Sequence, residues 1–506
     1  MKSSAIDLNP NKLVQYLKKP ANEFTKEDII KYVKENGIKM INFRYVGGDG
    51  RLKALNFVIT SEEHLDTLLS TGERVDGSSL FSYIEAGSSD LYVVPKYRTA
   101  FVNPFEEIPT LDILCAYFDK DGQPLASSPA NVLRKARRLL NEKTGYDLQT
   151  MGELEYYVIC KKDEIDTGFP TEDQRGYHED GPFTKFGQLR KDALLAIAQA
   201  GGLIKYGHSE VGNFSDDEYY YEQNEIEFET TDIEASADQL IIAKWMLRMI
   251  GQQYGVRITY APKITVGKAG TGLHIHMKLT KDGKPVMVEN GKLSEPAKKV
   301  IAGVLEVASG ITAFGNKVPT SYLRLVPHQE APTNICWGDR NRSALIRVPL
   351  GWSGDASAMI KKANPNYSEA LKDYSGKQTY EFRAADGSAD IYGLLAAICI
   401  GARYGLEMEN GLERAEELYV SSKNIFDEKN KETLEKLDHL PASCWESAEA
   451  LMAQKAIFMQ YDVFTEGMLE GIAAELKAFD DYQLSEKLYG KNEEIKALVD
   501  KYIHCA

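Results

Sequence analysis

Two histidines, two pairs of acids and a run of arginines are the parts of this chain that could do chemistry. His274-Ile-His276 lies inside the apolar–polar segment Leu273-His-Ile-His-Met277. Residues i and i+2 of a strand point to one face, so both imidazoles are expected on one side of a sheet. Glu153-Leu-Glu155, followed by Tyr156-Tyr-Val-Ile159, predicts two carboxylates on one face at the start of a strand. Glu225-Ile-Glu227-Phe-Glu229 repeats the alternation, and Glu381-Phe-Arg383 sets an acid beside a guanidinium. Read singly, each segment also fits a solvated strand face, and the acidic loop Asp216-Asp-Glu218 reads as solvated. Like charges held that close repel unless a cation lies between them.

Taken together, several glutamates and at most two histidines make an oxygen-rich site, which suits Mg²⁺ or Mn²⁺ better than Zn²⁺ or copper. A basic cluster follows: Arg324, then Arg340-Asn-Arg342-Ser-Ala-Leu-Ile-Arg347. Planar guanidinium forks recognise carboxylate and phosphate bidentately. Divalent metals with several arginines are the parts of phosphoryl transfer. The sequence has no G-x-x-x-x-G-K-[ST] loop and no kinase H-R-D set, so a nucleotide would be held by metals and arginines on a sheet. The cysteines Cys115, Cys160, Cys336, Cys399, Cys444 and Cys505 are scattered with no C-x-x-C pair, which excludes a cysteine zinc site and fits reduced thiols.

The elements that must position these groups are legible in outline. The 506 residues predict a small domain and a large one. Lys26 to Asn36 reads as a short amphipathic helix. Lys39–Val46 and Leu52–Ile59, joined by the turn Gly47–Gly50, read as a hairpin. Ser61–Leu69 reads as a helix capped by Ser61, and Asp112–Phe118 as a strand. Ser127-Ser-Pro129 opens a helix with apolar residues at Val132, Leu133, Ala136 and Leu139, which places a domain boundary near residue 126. Beyond it strands (154–160, 225–230, 258–261, 273–279, 344–349, 379–383) alternate with helices (186–200, 233–254, 295–316). Residues 406–506 read as helical and charged, with a heptad-like stretch at 430–438.

Seventy-five acidic against 60 basic side chains give a net charge of -15, which argues against nucleic-acid binding and an anionic membrane surface. The longest apolar run, Gly393 to Ala402, is about half of the ~20 residues a membrane span requires. The N-terminus lacks the apolar core of a signal peptide, so a soluble, cytoplasmic protein is expected.

These residues resemble those of glutamine synthetase, in particular the type I group of bacteria and archaea. The resemblance runs over about residues 25–480 in family order. It begins at Val75-Asp-Gly-Ser-Ser79 with Ser88-Ser-Asp90, and continues through Gly152-Glu-Leu-Glu155, His208-Ser-Glu210-Val and Gln223-Asn-Glu225. It then takes in Gly270-Thr-Gly-Leu-His274-Ile-His276, Arg324-Leu-Val-Pro-His-Gln-Glu330-Ala-Pro332, Arg340 to Pro349, and Glu381-Phe-Arg383.

The resemblance implies an α+β fold: an N-terminal β-grasp-like domain (residues 1–125) and a catalytic domain (residues 126–506) with a curved antiparallel sheet backed by helices. It implies a reaction in which the side-chain carboxylate of L-glutamate attacks the γ-phosphate of ATP, and ammonia displaces phosphate from γ-glutamyl phosphate to give L-glutamine, ADP and phosphate. It assigns Glu155, Glu210 and Glu225 to one Mg²⁺ or Mn²⁺, and Glu153, His274 and Glu381 to a second, with two to three ions per site. Arg342 and Arg347 would meet the phosphates, Arg383 and Arg324 would position phosphate and glutamate carboxylates together with Gly270, and His276 would lie near the nucleotide. Asp76, assisted by Ser79, would reach a neighbouring subunit's site, bind ammonium and deprotonate it. Glu330 would close the site over the acyl phosphate, which water would otherwise hydrolyse. The implied assembly is a dodecamer of two hexameric rings.

Four features depart from the type I pattern. Ala269 stands where the family usually has Asn. Ala384-Ala-Asp-Gly387 follows Arg383 in place of Phe-Pro-Asp-Pro. The stretch between Glu210 and Glu225 is long and carries Tyr219-Tyr-Tyr221. Lys423-Asn-Ile-Phe426-Asp427 resembles a loop adenylylated on tyrosine in some members, but Phe426 has no hydroxyl, so no adenylylation is expected there. Three other readings stand beside ammonia ligation: a γ-glutamyl ligase for an alkyl amine or polyamine, kept open by Ala269; a non-catalytic structural relative; and a metal-dependent hydrolase built on His274 and His276, which would leave the arginines idle.

Overall fold

The computed structural model describes residues 6–84, 89–166, 168–327, 329–349, 351, 356–368, 373–422, 425–426 and 430–505. Ser88, His328, Lys423 and Asp427, each part of a motif above, lie outside the described residues.

The first sheet is built from β1 (Met40–Val46), β2 (Leu52–Val58), β3 (Glu73–Asp76), β4 (Asp90–Pro95), β5 (Phe101–Val102) and β6 (Thr110–Phe118), in the order β2-β1-β6-β4-β3 with β5 on β6. The expected hairpin is the antiparallel pair β1–β2, turning through Gly50 at φ +75°, a backbone angle that suits glycine. The helix Lys26–Glu35 starts at a reciprocal cap between Thr25 and Asp28, and Ser61 caps Glu62–Thr71 by accepting from the His64 N–H. Both helices press apolar residues onto the sheet, and Asp112 at its centre accepts from Asn42 and Arg44 at 2.7 Å each. The Arg44 guanidinium also lies 4.2 Å from the ring of Trp245, which ties this unit to the rest of the chain. Lys96 and Arg98 do the same by pairing with the buried Asp238 at 2.7 and 2.6 Å.

The second sheet holds β7 (Asp147–Lys161), β8 (Ile204–Ser215), β9 (Tyr219–Phe228), β10 (Thr231–Asp232), β11 (Arg257–Thr259), β12 (Leu273–Lys281) and β13 (Lys284–Pro285). After a small separate pair, β14 (Val288–Glu289) and β15 (Lys292–Leu293), it is completed by β16 (Trp337–Asp339), β17 (Ile346–Val348) and β18 (Tyr380–Phe382). Its order is β16-β17-β18-β12-β7-β9-β8, antiparallel except for β16–β17. Period-2 alternation gives the sheet two unlike faces. Leu154, Ile226, Leu273, Ile275 and Phe382 point to the buried side, under the helices Pro129–Thr144, Ile233–Gln253 and Ile391–Glu407. The other face carries the acids and imidazoles.

Several elements differ from expectation. Glu153 and Glu155 sit in mid-strand, because β7 begins at Asp147 and pairs with β12 all the way from Thr280 to Leu273. β8 was not foreseen; its pattern is interrupted by Gly207 and Gly212 and by a register shift between Ser209 and Asn213. The helix expected over 295–316 is two, Glu295–Glu306 and Ala308–Gly315. Gln454 bridges the break: its amide donates to the Glu306 carbonyl and accepts from the Gly310 N–H, at 2.8 and 2.9 Å. Within 430–438 only Lys431–Leu434 is helical. The apolar run 393–402 is the buried middle of Ile391–Glu407, and no single helix among the described residues is long and apolar enough to cross a membrane.

Candidate active site

Register assembles the site. His274 of β12 lies opposite Glu153 of β7, which lies opposite Glu227 of β9, which pairs with Tyr206 of β8. One row further along, Glu155 faces Glu225, and Glu225 faces His208. One row the other way, Arg347 faces Glu381, and Glu381 faces His276. Directly opposed residues of an antiparallel pair share a face, so three short rows on six strands converge on one cavity of about 1000 Å³.

Within it Glu153 bridges the two histidines. Its oxygens lie 2.9 Å from His274 Nδ1 and 2.8 Å from His276 Nε2, while His276 Nδ1 lies 2.9 Å from the Thr379 hydroxyl. Burial opposes the Glu153 charge, yet His276 and His274 hold its carboxyl well below the usual range. Glu381, buried at 1% exposure, accepts from Arg347 at 2.9 Å and from Arg383, with His276 Nε2 at 3.5 Å. Its pKa is lowered against burial and the Glu153 charge, by Arg383 and the two histidines.

Glu227 is paired with Lys205, but Glu155, Glu210 and Glu225 have no such ammonium or guanidinium partner among the described residues. Glu155 accepts from the Gly272 N–H at 2.7 Å and from Gln223 at 2.9 Å, but burial and the nearby Glu210 push its pKa up to about 8. Burial takes Glu210 to about 7, and burial with the charges of Glu153 and Glu155 raises Glu225 well above the carboxylate range. Three groups of ligand atoms fall within 4.8 Å of one another: Glu153–His276–Glu381, His208–Glu210–Glu225 and Glu153–Glu225–Glu227. The donor set is carboxylate oxygen with imidazole nitrogen, and its excess negative charge fits divalent cations. The grouping differs from that implied by resemblance: His276 joins Glu153 and Glu381, and His208 joins Glu210 and Glu225.

The arginines face the acids. Arg340, Arg342 and Arg347 line the cavity from the turn before β17 and from β17 itself, and Arg383 from the end of β18. Arg347 Nε and Arg383 Nε are buried with no hydrogen-bond partner among the described residues, as expected of forks awaiting an anion. A contiguous smaller cavity is lined by Gly270, Ala269, Arg324, Lys263 and Glu330. Arg324 donates to the carbonyls of Ala384 and Arg383 at 2.8 and 3.3 Å. A Cβ on Gly272 would lie 2.9–3.0 Å from His274, Arg324 and Glu155, and one on Gly270 would lie 2.8 Å from the Pro262 carbonyl. The loop passes between the reacting groups because these residues are glycines. Glu330 is exposed at the mouth.

Asp76 and Ser79 are elsewhere. Both are exposed at the end of β3, and neither lines the cavity of its own chain. Asp76 accepts from the hydroxyls of Ser78 and Ser79 at 2.7 and 2.8 Å, which draw its pKa down to about 2.

Sequence reasoning missed Tyr177, Tyr206, His208 and Lys263 as lining groups. Tyr206-x-His208-x-Glu210 is the same i, i+2 signal that revealed His274 and His276, hidden because β8 was not read as a strand. Tyr177, on an irregular segment, gives no such signal.

Buried acids and imidazoles opposite guanidiniums around one large cavity are the outline of an enzyme site with groups able to hold divalent cations and an anion. Residues 126–487 match the glutamine synthetase catalytic domain, and residues 37–120 match the glutamine synthetase beta-Grasp domain. The chain is 30% identical over 471 residues to a glutamine synthetase of Clostridium saccharobutylicum, spanning 91% of this chain and 96% of that protein. A cryo-EM structure of Plasmodium falciparum glutamine synthetase shares the fold with TM-score 0.74 and 19% identity, over 92% of this chain and 98% of that one. A structure of ligand-free GmaS shares it with TM-score 0.68 and 17% identity, over 90% and 96%.

The chain belongs to the glutamine synthetase family. It is a ligase, with the β-grasp and catalytic-sheet architecture expected; the family uses ATP and divalent metals.

Proposed function

We propose that the protein joins ammonia to the side-chain carboxylate of L-glutamate at the expense of ATP, by way of γ-glutamyl phosphate. The observation that carries this reading is the opposition, inside one cavity, of uncompensated buried carboxylates and buried guanidinium forks with open Nε donors.

Glu155, Glu210 and Glu225, with His208 beside them, would hold one divalent cation, and Glu153, Glu381 and His274 or His276 a second; Mg²⁺ is the expected ion, with Mn²⁺ a substitute. Bound there, the cations supply charge neutralisation to the phosphate oxygens. Arg342 and Arg347 bind and orient the nucleotide phosphates, with His276 on the same strand face. Arg324, lining the small cavity beside Gly270, holds the glutamate carboxylate, and Arg383 stands between the two substrates. The glutamate side-chain oxygen attacks the γ-phosphorus and expels ADP; ammonia then attacks the acyl carbon of the γ-glutamyl phosphate, expelling phosphate and giving up a proton to form the amide. Glu330, at the mouth, excludes water from the acyl phosphate.

Asp76 and Ser79 serve a neighbouring copy's site, since they do not line their own. A dodecamer of two hexameric rings is the assembly this supports, with residues 1–125 and 126–506 as the two domains and the cytoplasm as the compartment.

A second reading rests on Ala269, whose methyl group lines the small cavity where the family usually carries Asn. It is ligation of glutamate to an alkyl amine. Phosphate release from ATP, Mg²⁺ and glutamate separates the two. Release on adding ammonium supports the first, release only with an alkyl amine supports the second, and none with any amine refutes both.

A further inference from the structure

Away from the active site a cavity of about 340 Å³ lies where three parts of the chain meet: the β1–β2 turn, the helix Ile233–Gln253 and the C-terminal tail. Four basic side chains line it, Arg51, Lys244, Arg248 and His504, and no carboxylate does so among the described residues. Leu52 and Trp245 give it an apolar wall. The cations are held in place by backbone carbonyls, which fix position without cancelling charge. Arg51 donates to the His504 carbonyl and Arg248 to the Cys505 carbonyl at 2.7 Å each, and Lys244 to the Gly387 carbonyl at 2.7 Å.

Lys244 is only 5% exposed, and a buried ammonium is costly; the buried Asp386 offsets part of that cost without lining the cavity. The field is strong enough to lower His504: burial, then Arg248, Arg257 and Arg51, disfavour its protonation. The tail that closes the cavity lies beyond the family's catalytic-domain match, which ends at residue 487. It is anchored by the helix Asn492–Tyr502, whose Ile495 and Val499 pack on Tyr157 and Ile159 of β7.

We propose that this cavity is a binding site for a small phosphate-bearing anion, separate from the catalytic cavity, with the phosphate held by Arg51, Lys244 and Arg248 and any organic part resting on Leu52 and Trp245. Forked guanidiniums beside a buried ammonium match a phosphate dianion in charge and donor number. Such a ligand would bridge the N-terminal unit, the catalytic unit and the tail.

The test is calorimetric titration of the full-length protein with glycerol 3-phosphate and, separately, with inorganic phosphate. Binding with Kd of about 1 mM or tighter is expected. It should weaken about tenfold or more in Arg248→Gln and in the exposed-turn variant Arg51→Gln, and be largely kept in Arg248→Lys. It should also persist in Arg347→Gln, which alters the catalytic cavity. Tighter binding of the ester assigns the site to organic phosphates, and equal binding assigns it to free phosphate. Absent binding, binding indifferent to both Arg248→Gln and Arg51→Gln, or binding removed by Arg347→Gln overturns the proposal.

Discussion

Glu155 stands directly opposite Glu225 in the register of β7 and β9, so two buried carboxylates face one cavity from adjacent strands. Opposed like charges destabilise a strand pair. Without a cation the relief is protonation: burial and Glu210 take Glu155 to about 8, burial takes Glu210 to about 7, and burial with the charges of Glu153 and Glu155 raises Glu225 well above the ordinary carboxylate range. These folded-state values lie above the unfolded ones. Their contribution to stability is therefore present in full below about pH 4 and is lost as pH rises through 7 and 8. Chelated protein should lose melting temperature between about pH 5 and pH 8, while Mg²⁺-loaded protein changes little. Metal uptake near pH 7 should release protons, and fewer near pH 9. A flat melting profile for the chelated protein would falsify this account.

Arg347 is held by Glu381 through one terminal nitrogen while its Nε stays open. A lysine there keeps the charge and loses the fork. Arg347→Lys is expected to lower kcat by about 10²–10³-fold with KM for glutamate nearly unchanged, because the lost contact strengthens only as charge moves onto the transferring phosphoryl group. Steady-state kinetics decide it; an increase in glutamate KM with kcat intact would place Arg347 on the wrong substrate.

Asp76 does not line its own chain's cavity and, at a pKa of about 2, stays ionised at any working pH. If it completes a neighbour's site, two inactive variants should complement one another. Asp76→Ala and Arg347→Gln, each poorly active alone, should recover activity when dissociated and reassembled together, since some sites then receive an intact Asp76 and an intact Arg347. In homogeneous Asp76→Ala the apparent KM for ammonium should rise strongly while metal binding persists. Mixed assemblies no more active than the parents would show that Asp76 acts within its own chain or not at all.

Much of this site was legible because strands write their faces into the sequence. His274 and His276 on β12, Glu153 and Glu155 on β7, and Glu381 and Arg383 around β18 are i, i+2 pairs; the structure puts all but His276 on the cavity wall, and His276 directly behind Glu153 and Glu381. The register that sets Glu153 between His274 and Glu227 is a long-range property that no local pattern carries. β8 was illegible because glycines and a bulge break its alternation, and Tyr206 and His208 were lost with it. The break at Val307 was hidden for another reason: the groups that satisfy it belong to Gln454, far along the chain.

Lys244 offers a test that leaves the catalytic cavity alone. Burial, and then Arg248, lower its pKa to about 7, against about 10.4 in an unfolded chain. Between those values the folded chain binds fewer protons than the unfolded one, so stability rises with pH across the window; below about pH 7 the burden of the buried charge is fully present. Lys244→Met removes that burden and loses a bond to the Gly387 carbonyl of about 1 kcal/mol. The stability difference, variant minus parent, should therefore be more favourable to the variant near pH 6 than near pH 10, by a few kcal/mol at about 1.4 kcal/mol per pKa unit. Titration of the active-site acids is common to both proteins and drops out of the difference. Denaturant melts in phosphate-free buffer measure it. A pH-independent difference would mean that Lys244 keeps an ordinary pKa, and that the field around the basic cavity is weaker than its geometry indicates.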